Sequence, residues 1–256
     1  MSSATPRLRM FAGPNGSGKS TIKAVIAPSL LGVYINPDEI EKEIRRFGFL
    51  DLNGFEVHCT AEEILPFFLH SELLIKAGLE DEAAALRFND GKLSFFNVVV
   101  NSYFASVAAN FIRQALVAAG VTFTFETVMS SPDKVAFLRQ AQARGYRTYL
   151  YYVATEDPAI NISRVENRVR QGGHAVPKDK IIERYYRSLD LLFDAIRYTN
   201  RAYLFDNSRH GQIWLAEVTD GIELEMKSTT MPVWFKSAVW DKFADGEDGA
   251  ERESRC

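Results

Sequence analysis

Cysteine is nearly missing from this sequence: there are two in 256 residues, Cys59 and Cys256, in no metal-ligand spacing. That excludes a disulfide framework and a zinc site as organising principles, and it leads us to expect a reducing cytoplasm. Long apolar runs are missing too. Nothing approaches the roughly 20 consecutive apolar residues of a membrane span, and the first residues hold no apolar stretch behind a basic start. No partnership with a membrane is expected. Charge of one sign is also scarce, with a net charge of −3. A duplex-binding protein usually carries a broader basic surface, so nucleic acid is not the expected partner. No internal repeat is present.

What remains is an ordinary globular balance, 46% hydrophobic and 25% charged. The length suffices for a full α/β core and sits near the upper limit for one domain, so a single domain over residues 1–256 is expected. The charge is unevenly spread. Residues 134–201 hold thirteen Lys or Arg against seven Asp or Glu. Most of these cations read as solvated helix faces, but those at Arg164–Arg170 suit an anionic ligand.

Strands and helices alternate. Arg7–Ala12 reads as a buried strand, Gly32–Asn36 as a second and Val121–Phe125 as a third. Tyr146–Ala154 is the most strand-like run, and Ala202–Phe205 is a last core strand. Between them helices are expected from Lys19 to about Ala27, from Pro37, over Tyr103–Ala119, from Asp133 to about Arg144, from Asp157 to Arg170 and over Lys178–Asn200. Ile213–Met226 reads as a hairpin turning at Asp220-Gly221, and residues 246–256 as a frayed polar tail. Residues 49–101 read as a helical insertion without strands, with helices over Thr60–Ala77 and Leu79–Phe88. The expected fold class is therefore α/β, a three-layer sandwich with a mostly parallel sheet, a helical insertion and a C-terminal β-hairpin. Ligands should lie at the carboxyl ends of the strands.

The strongest local signal lies between the first strand and the first helix. Gly13-Pro14-Asn15-Gly16-Ser17-Gly18-Lys19-Ser20-Thr21 matches G-x-x-x-x-G-K-[ST] in full. The four fixed positions should arise by chance in on the order of one chain in a hundred of this length. Glycines let the backbone curl and turn its N–H groups onto phosphate. Lys19 reaches the β- and γ-phosphates, and the Ser20 hydroxyl ligates Mg²⁺. ATP and Mg²⁺ are therefore the expected cofactors. No N-K-x-D guanine motif and no L-S-G-G-Q transporter signature accompany the loop.

Further candidates stand at strand ends and on a basic helix. Asp38, just past the second strand, can accept a proton from a substrate hydroxyl and help organise Mg²⁺, as phosphoryl transfer requires. The plain alternative is a carboxylate serving the helix dipole. Glu126 and Thr127 close the third strand and suit substrate or metal-shell duty, against capping of the next segment. Arg164 and Arg168 share a helix face, with Arg170 elsewhere, before Gly172-Gly173. Guanidinium on a mobile lid suits a moving phosphoryl group; the alternative is a solvated face. His174 reads as a structural loop histidine sooner than a phosphate contact. Asp206-Asn207-Ser208 is either the chain passing beside adenine or a plain turn.

Assembled, these residues resemble the zeta toxin family of P-loop kinases, and in particular its compact bacterial branch often labelled predicted ABC-type ATPases. The similarity rests on the P-loop, Tyr34–Asp38, Phe125–Ser130, the run RVENRVRQGGHAVP at Arg164–Pro177, Ile182–Leu192 and Leu204–Ser208. The resemblance implies phosphorylation of a sugar hydroxyl of UDP-N-acetylglucosamine by ATP and Mg²⁺, and restraint by a small antitoxin protein. It implies Asp38 as general base, Lys19 and the P-loop as the ATP site, Glu126 orienting the sugar, and Arg168 and Arg170 as lid arginines. The insertion at 49–101 is longer than that branch leads one to expect, and it sits where the sugar nucleotide should bind.

Overall fold

A computed structural model describes residues 5–23, 26–172, 175–209 and 211–244. Ten strands lie among them: β1 (Arg7–Ala12), β2 (Val33–Ile35), β3 (Phe49–Asp51), β4 (Arg87–Asn89), β5 (Lys92–Ser94), β6 (Phe123–Thr127), β7 (Arg147–Ala154), β8 (Arg201–Asp206), β9 (Ile213–Thr219) and β10 (Glu223–Met226). The chain forms two compact units, one comprising residues up to Leu30 and from Glu126 onward, the other Leu31–Phe125.

In the first unit the strand order is β10-β9-β8-β7-β1. β1 pairs with β7 in parallel from Arg7↔Arg147 to Ala12↔Tyr152, and β7 with β8 from Tyr149↔Arg201 to Ala154↔Asp206. β1 is buried along nearly its whole length because both its faces are covered, whereas β8 and the first part of β7 alternate between buried and half-buried residues. Leu8, Met10, Phe11, Leu150, Tyr152, Val153, Ala202 and Leu204 are all fully buried. The expected hairpin is present, with β9 antiparallel to both β8 and β10. Helices Asp133–Ala143, Pro158–Arg170, Lys178–Asp190 and Leu192–Arg197 connect these strands. The single helix expected over Lys178–Asn200 is two, divided at Leu191, and the second buries Leu192, Ala195 and Ile196. A helical segment that the pattern did not reveal, Val233–Phe235 running into a π turn at Lys236–Trp240, buries Trp234 and Phe235.

In the second unit β2 pairs in parallel with β6, Val33↔Phe123 to Ile35↔Phe125. Helix Pro37–Phe47 starts as expected at a proline. Its Asn36 cap accepts hydrogen bonds from the N–H groups of Asp38 (2.9 Å) and Glu39 (3.4 Å), satisfying two orphan donors. Helix Ser102–Ala119 is capped the same way by Asn101 and closes at Gly120 in the left-handed region. The segment 49–101 departs from expectation. Its helices are short, Ala61–Leu69, Glu72–Ile75 and Glu80–Ala85, and it contains a three-stranded antiparallel sheet, β3-β5-β4. Strands of three residues show too little alternation to be read from sequence. Leu50, Leu52, Phe68, Leu93 and Phe95 are buried in this unit with Phe104 of the long helix.

The expected tail at 246–256 lies outside the described residues, as do Gly173 and His174. Among the described residues no helix is long and apolar enough to cross a membrane.

Candidate nucleotide site and arginine helix

The loop after β1 is built around three glycines, each pressed against a different neighbour. Gly13 has φ +142, and a Cβ there would lie 2.0 Å from the Val153 carbonyl oxygen at the end of β7. At Gly16, φ +74, it would lie 2.6 Å from the carbonyl oxygen of Asn161, in helix Pro158–Arg170. At Gly18, φ +97, it would lie 2.2 Å from the Asn207 side-chain nitrogen, just past β8. Any side chain at these positions would meet both a strained backbone and a wall. The motif's glycines are thus required here by packing as well as by curl.

Lys19 begins helix Lys19–Ile22, and its ammonium donates to the carbonyls of Gly13 (2.8 Å) and Pro14 (3.0 Å), so it bridges the mouth of the loop. Thr21 turns its hydroxyl to the Gly18 carbonyl at 2.6 Å. Ser20 is exposed at the loop's end. Ser17 is fully buried, and its hydroxyl, like the Asn15 side-chain oxygen, has no hydrogen-bond partner. A buried hydroxyl normally finds one. A curled glycine cradle and a lysine across its mouth fit the phosphates of a nucleotide, with the exposed Ser20 hydroxyl as an oxygen donor suited to Mg²⁺.

Two asparagines brace the loop from outside. Asn161 Nδ2 donates to the Asn15 carbonyl at 2.6 Å, and Asn207 Nδ2 to the Ser17 carbonyl at 2.8 Å. Neither role was legible in the sequence, which offered Asn207 only as part of a plain turn or of a stretch passing beside adenine.

Glu126 and Thr127 close β6 as expected, both partly exposed. The Thr127 hydroxyl accepts from Met129 N–H at 3.1 Å. Met129 is buried with φ +55, a left-handed conformation rare for a non-glycine residue. Such strain persists only where the surroundings over-determine it. Here Ser188 donates to the Val128 carbonyl at 2.8 Å and meets the Tyr152 hydroxyl at 3.0 Å. Burial pushes the Tyr152 hydroxyl well above the usual phenol range, so it stays neutral and remains a hydrogen-bonding group.

The expected arginines lie on helix Pro158–Arg170, which starts at the Asp157 cap with Pro158 in its first turn. Arg164 is part-buried, and its Nη1 is enclosed without a partner. Arg168 and Arg170 are exposed in the last turn. Asn161, Arg164 and Arg168 stand at i, i+3 and i+7, so one face carries the loop brace and two of the cations. The helix leads on to an ion pair, Glu166 to Lys178 at 2.8 Å, which holds the Glu166 carboxyl below its usual range. Asp38 lies in the second unit, exposed in the first turn of its helix.

The fold and the loop define a P-loop α/β protein. Comparison with known proteins agrees. Residues 96–214 match the family model described as Zeta toxin. In the crystal structure of AvrRxo1-ORF1:-ORF2 with ATP, a chain superposes with a TM-score of 0.53 at 14% identity, covering 94% of this chain and 64% of that one. The same complex with sulphate ions gives 0.52 at 14% identity, covering 89% and 62%. A protein of Haemophilus influenzae (strain ATCC 51907 / DSM 11121 / KW20 / Rd), described as uncharacterized, is 28% identical over 65 residues, 25% of this chain and 46% of that protein. This chain thus spans less than two thirds of the length of each of these relatives. The match agrees with the resemblance to the zeta toxin family of P-loop kinases that the sequence led us to expect. The family match begins well after the P-loop and takes in Glu126, the arginine helix and Asp206–Ser208.

Proposed function

We propose that this chain is an ATP- and Mg²⁺-dependent kinase that transfers the γ-phosphoryl group to a hydroxyl of an anionic small molecule. A UDP-N-acetyl amino sugar is the leading acceptor, on the strength of the family. The observation that carries the reading is the cradle of Gly13, Gly16 and Gly18 with Lys19 across its mouth. Together with an enclosed, unpartnered Arg164 nitrogen on the adjoining helix, it matches what phosphoryl transfer demands, which is positioning and charge neutralisation.

In this reading the loop N–H groups and Lys19 hold the triphosphate. Mg²⁺, when bound by the Ser20 hydroxyl, neutralises charge on the β- and γ-phosphates. Asp38 takes the proton from the acceptor hydroxyl as the new oxygen–phosphorus bond forms. The bond from the γ-phosphorus to the β-phosphate oxygen breaks, and ADP departs. Glu126 and Thr127 orient the acceptor, Arg164 meets anionic oxygen, and Arg168 and Arg170 neutralise the moving phosphoryl group. A small antitoxin is the proposed protein partner, again on the strength of the family.

The test is incubation with ATP, Mg²⁺ and a panel of nucleotide sugars, read by mass. A UDP-N-acetyl amino sugar gaining one phosphate supports the assignment. Phosphate gained only by another nucleotide-like metabolite or a nucleic-acid end would replace the acceptor. ATP hydrolysis with no acceptor modified would point to a nucleotide-dependent switch.

A further inference from the structure

A loop that converges its N–H groups on an anion turns the carbonyls of the same peptide units the other way, because the N–H and C=O of a trans peptide point in opposite directions within its plane. Those outward carbonyls then need donors of their own. In this chain the donors are Asn161 and Asn207, whose amides reach the Asn15 and Ser17 carbonyls. We propose that these two asparagines are positioning residues for phosphate binding. They fix the outward carbonyls of the P-loop and thereby keep its N–H groups aimed inward.

Both asparagines are tied to one place, the carboxyl end of β7, Asn161 through its side chain and Asn207 through its backbone. The Asn15 carbonyl can only accept, so Asn161 turns its NH₂ group to it and its Oδ1 to the Thr155 hydroxyl, which donates. Asn207 N–H donates to the Ala154 carbonyl at 2.8 Å. Gly13 rests against Val153, the residue before. Three consecutive residues, Val153 to Thr155, therefore set the loop's start and both of its braces. The close approaches of Gly16 to Asn161 and Gly18 to Asn207 show the same fit from the loop's side. Asn161 is also fully buried, at 0% exposure, in the helix that carries the arginines. The brace thus sets where that helix begins relative to the loop.

This inference rests on the reading above only in taking the anion to be the phosphates of ATP. Its test uses the full chain with Asn161→Ala and Asn207→Ala. Three quantities are compared with wild type: affinity for ATP and for inorganic tripolyphosphate, amide exchange over residues 13–21, and the melting temperature without ligand. Losing one such hydrogen bond should weaken both ligands by about the same factor, roughly tenfold. Exchange in the loop should quicken while the β8–β10 region stays near wild type, and Asn207→Ala, at a part-exposed position, should leave the unliganded melting temperature near wild type. Wild-type affinities and loop exchange in a folded variant would overturn the proposal, as would a lower melting temperature with the loop unchanged. If Asn161→Ala does not fold, Asn207→Ala, at a part-exposed position, decides on the same readouts. Should wild type bind neither ligand, the nucleotide reading fails, while the exchange measurement still decides the positioning role.

Discussion

The indole N–H of Trp234 donates to the Asp206 carboxylate at 2.9 Å, both residues being nearly fully buried. Asp206 also accepts from the Ser208 N–H at 3.0 Å and the Ser208 hydroxyl at 2.7 Å. The end of β8, and with it the turn presenting Asn207 to the P-loop, is therefore tied to the C-terminal helical segment. Trp234→Phe keeps most of the packing and removes one donor from a buried carboxylate. We expect a loss of about 1–3 kcal/mol in urea unfolding. An unchanged unfolding midpoint would show that the bond contributes nothing net.

The arginine helix predicts different kinetic signatures for its cations. Arg164 has an enclosed, unsatisfied donor, so Arg164→Ala should lower kcat/KM by about 10²-fold or more if it meets the reacting anion. Arg168→Ala and Arg170→Ala should depress kcat more than they raise the KM for ATP, as expected of groups that act in the transition state. Steady-state kinetics with ATP and the acceptor decide this. Normal kcat in both of the latter variants would make those arginines a solvated face.

The 49–101 segment shows where sequence patterns reach and where they stop. The sequence read it as a helical insertion without strands, sitting where the sugar nucleotide should bind. The structure shows Phe95 edge-on to both Phe68 and Phe104, tying the segment to the core of its own unit. Replacing the segment with a short linker would expose that core, so a point change is the better probe. Phe95→Ala should cost about 3–5 kcal/mol, measured by denaturant unfolding. A cost below about 1 kcal/mol would mean that the small sheet is dispensable to that unit.

Strong local signals made much of the fold legible. The apolar run of β1, the spaced glycines, the Asn36-Pro37 and Asp157-Pro158 helix starts and the Asp220-Gly221 turn each act over a few residues, and each is found. The braces were not legible, because Asn161 and Asn207 meet partners 146 and 190 residues away, and an asparagine past a strand looks like any turn residue. Met129 gave no sign of its left-handed backbone, which the tertiary bonds around Val128 impose.

Alkaline pH should act on the tyrosines of the sheet. Burial pushes the Tyr151 hydroxyl up to about 12, with the neighbouring Tyr203 adding to the rise. An unfolded tyrosine ionises near 10. The folded state therefore holds this proton more tightly, and its contribution is full below about pH 10 and lost as pH rises toward about 12. Tyr151→Phe should flatten the fall in stability over that window. An equally steep fall in the variant would assign it to other groups.

The central claim, transfer of phosphate to an acceptor and not simple hydrolysis, is tested most directly by following a label on the γ-phosphate of ATP. Protein, Mg²⁺ and the nucleotide-sugar panel are incubated together, and the label is recovered as organic product or as inorganic phosphate. The account predicts label in an organic product for wild type and none with Lys19→Ala. With Asp38→Asn it predicts a rate reduced by roughly 10²–10⁴ while ATP still binds. Label found wholly as inorganic phosphate, or transfer by Asp38→Asn within tenfold of wild type, would contradict it.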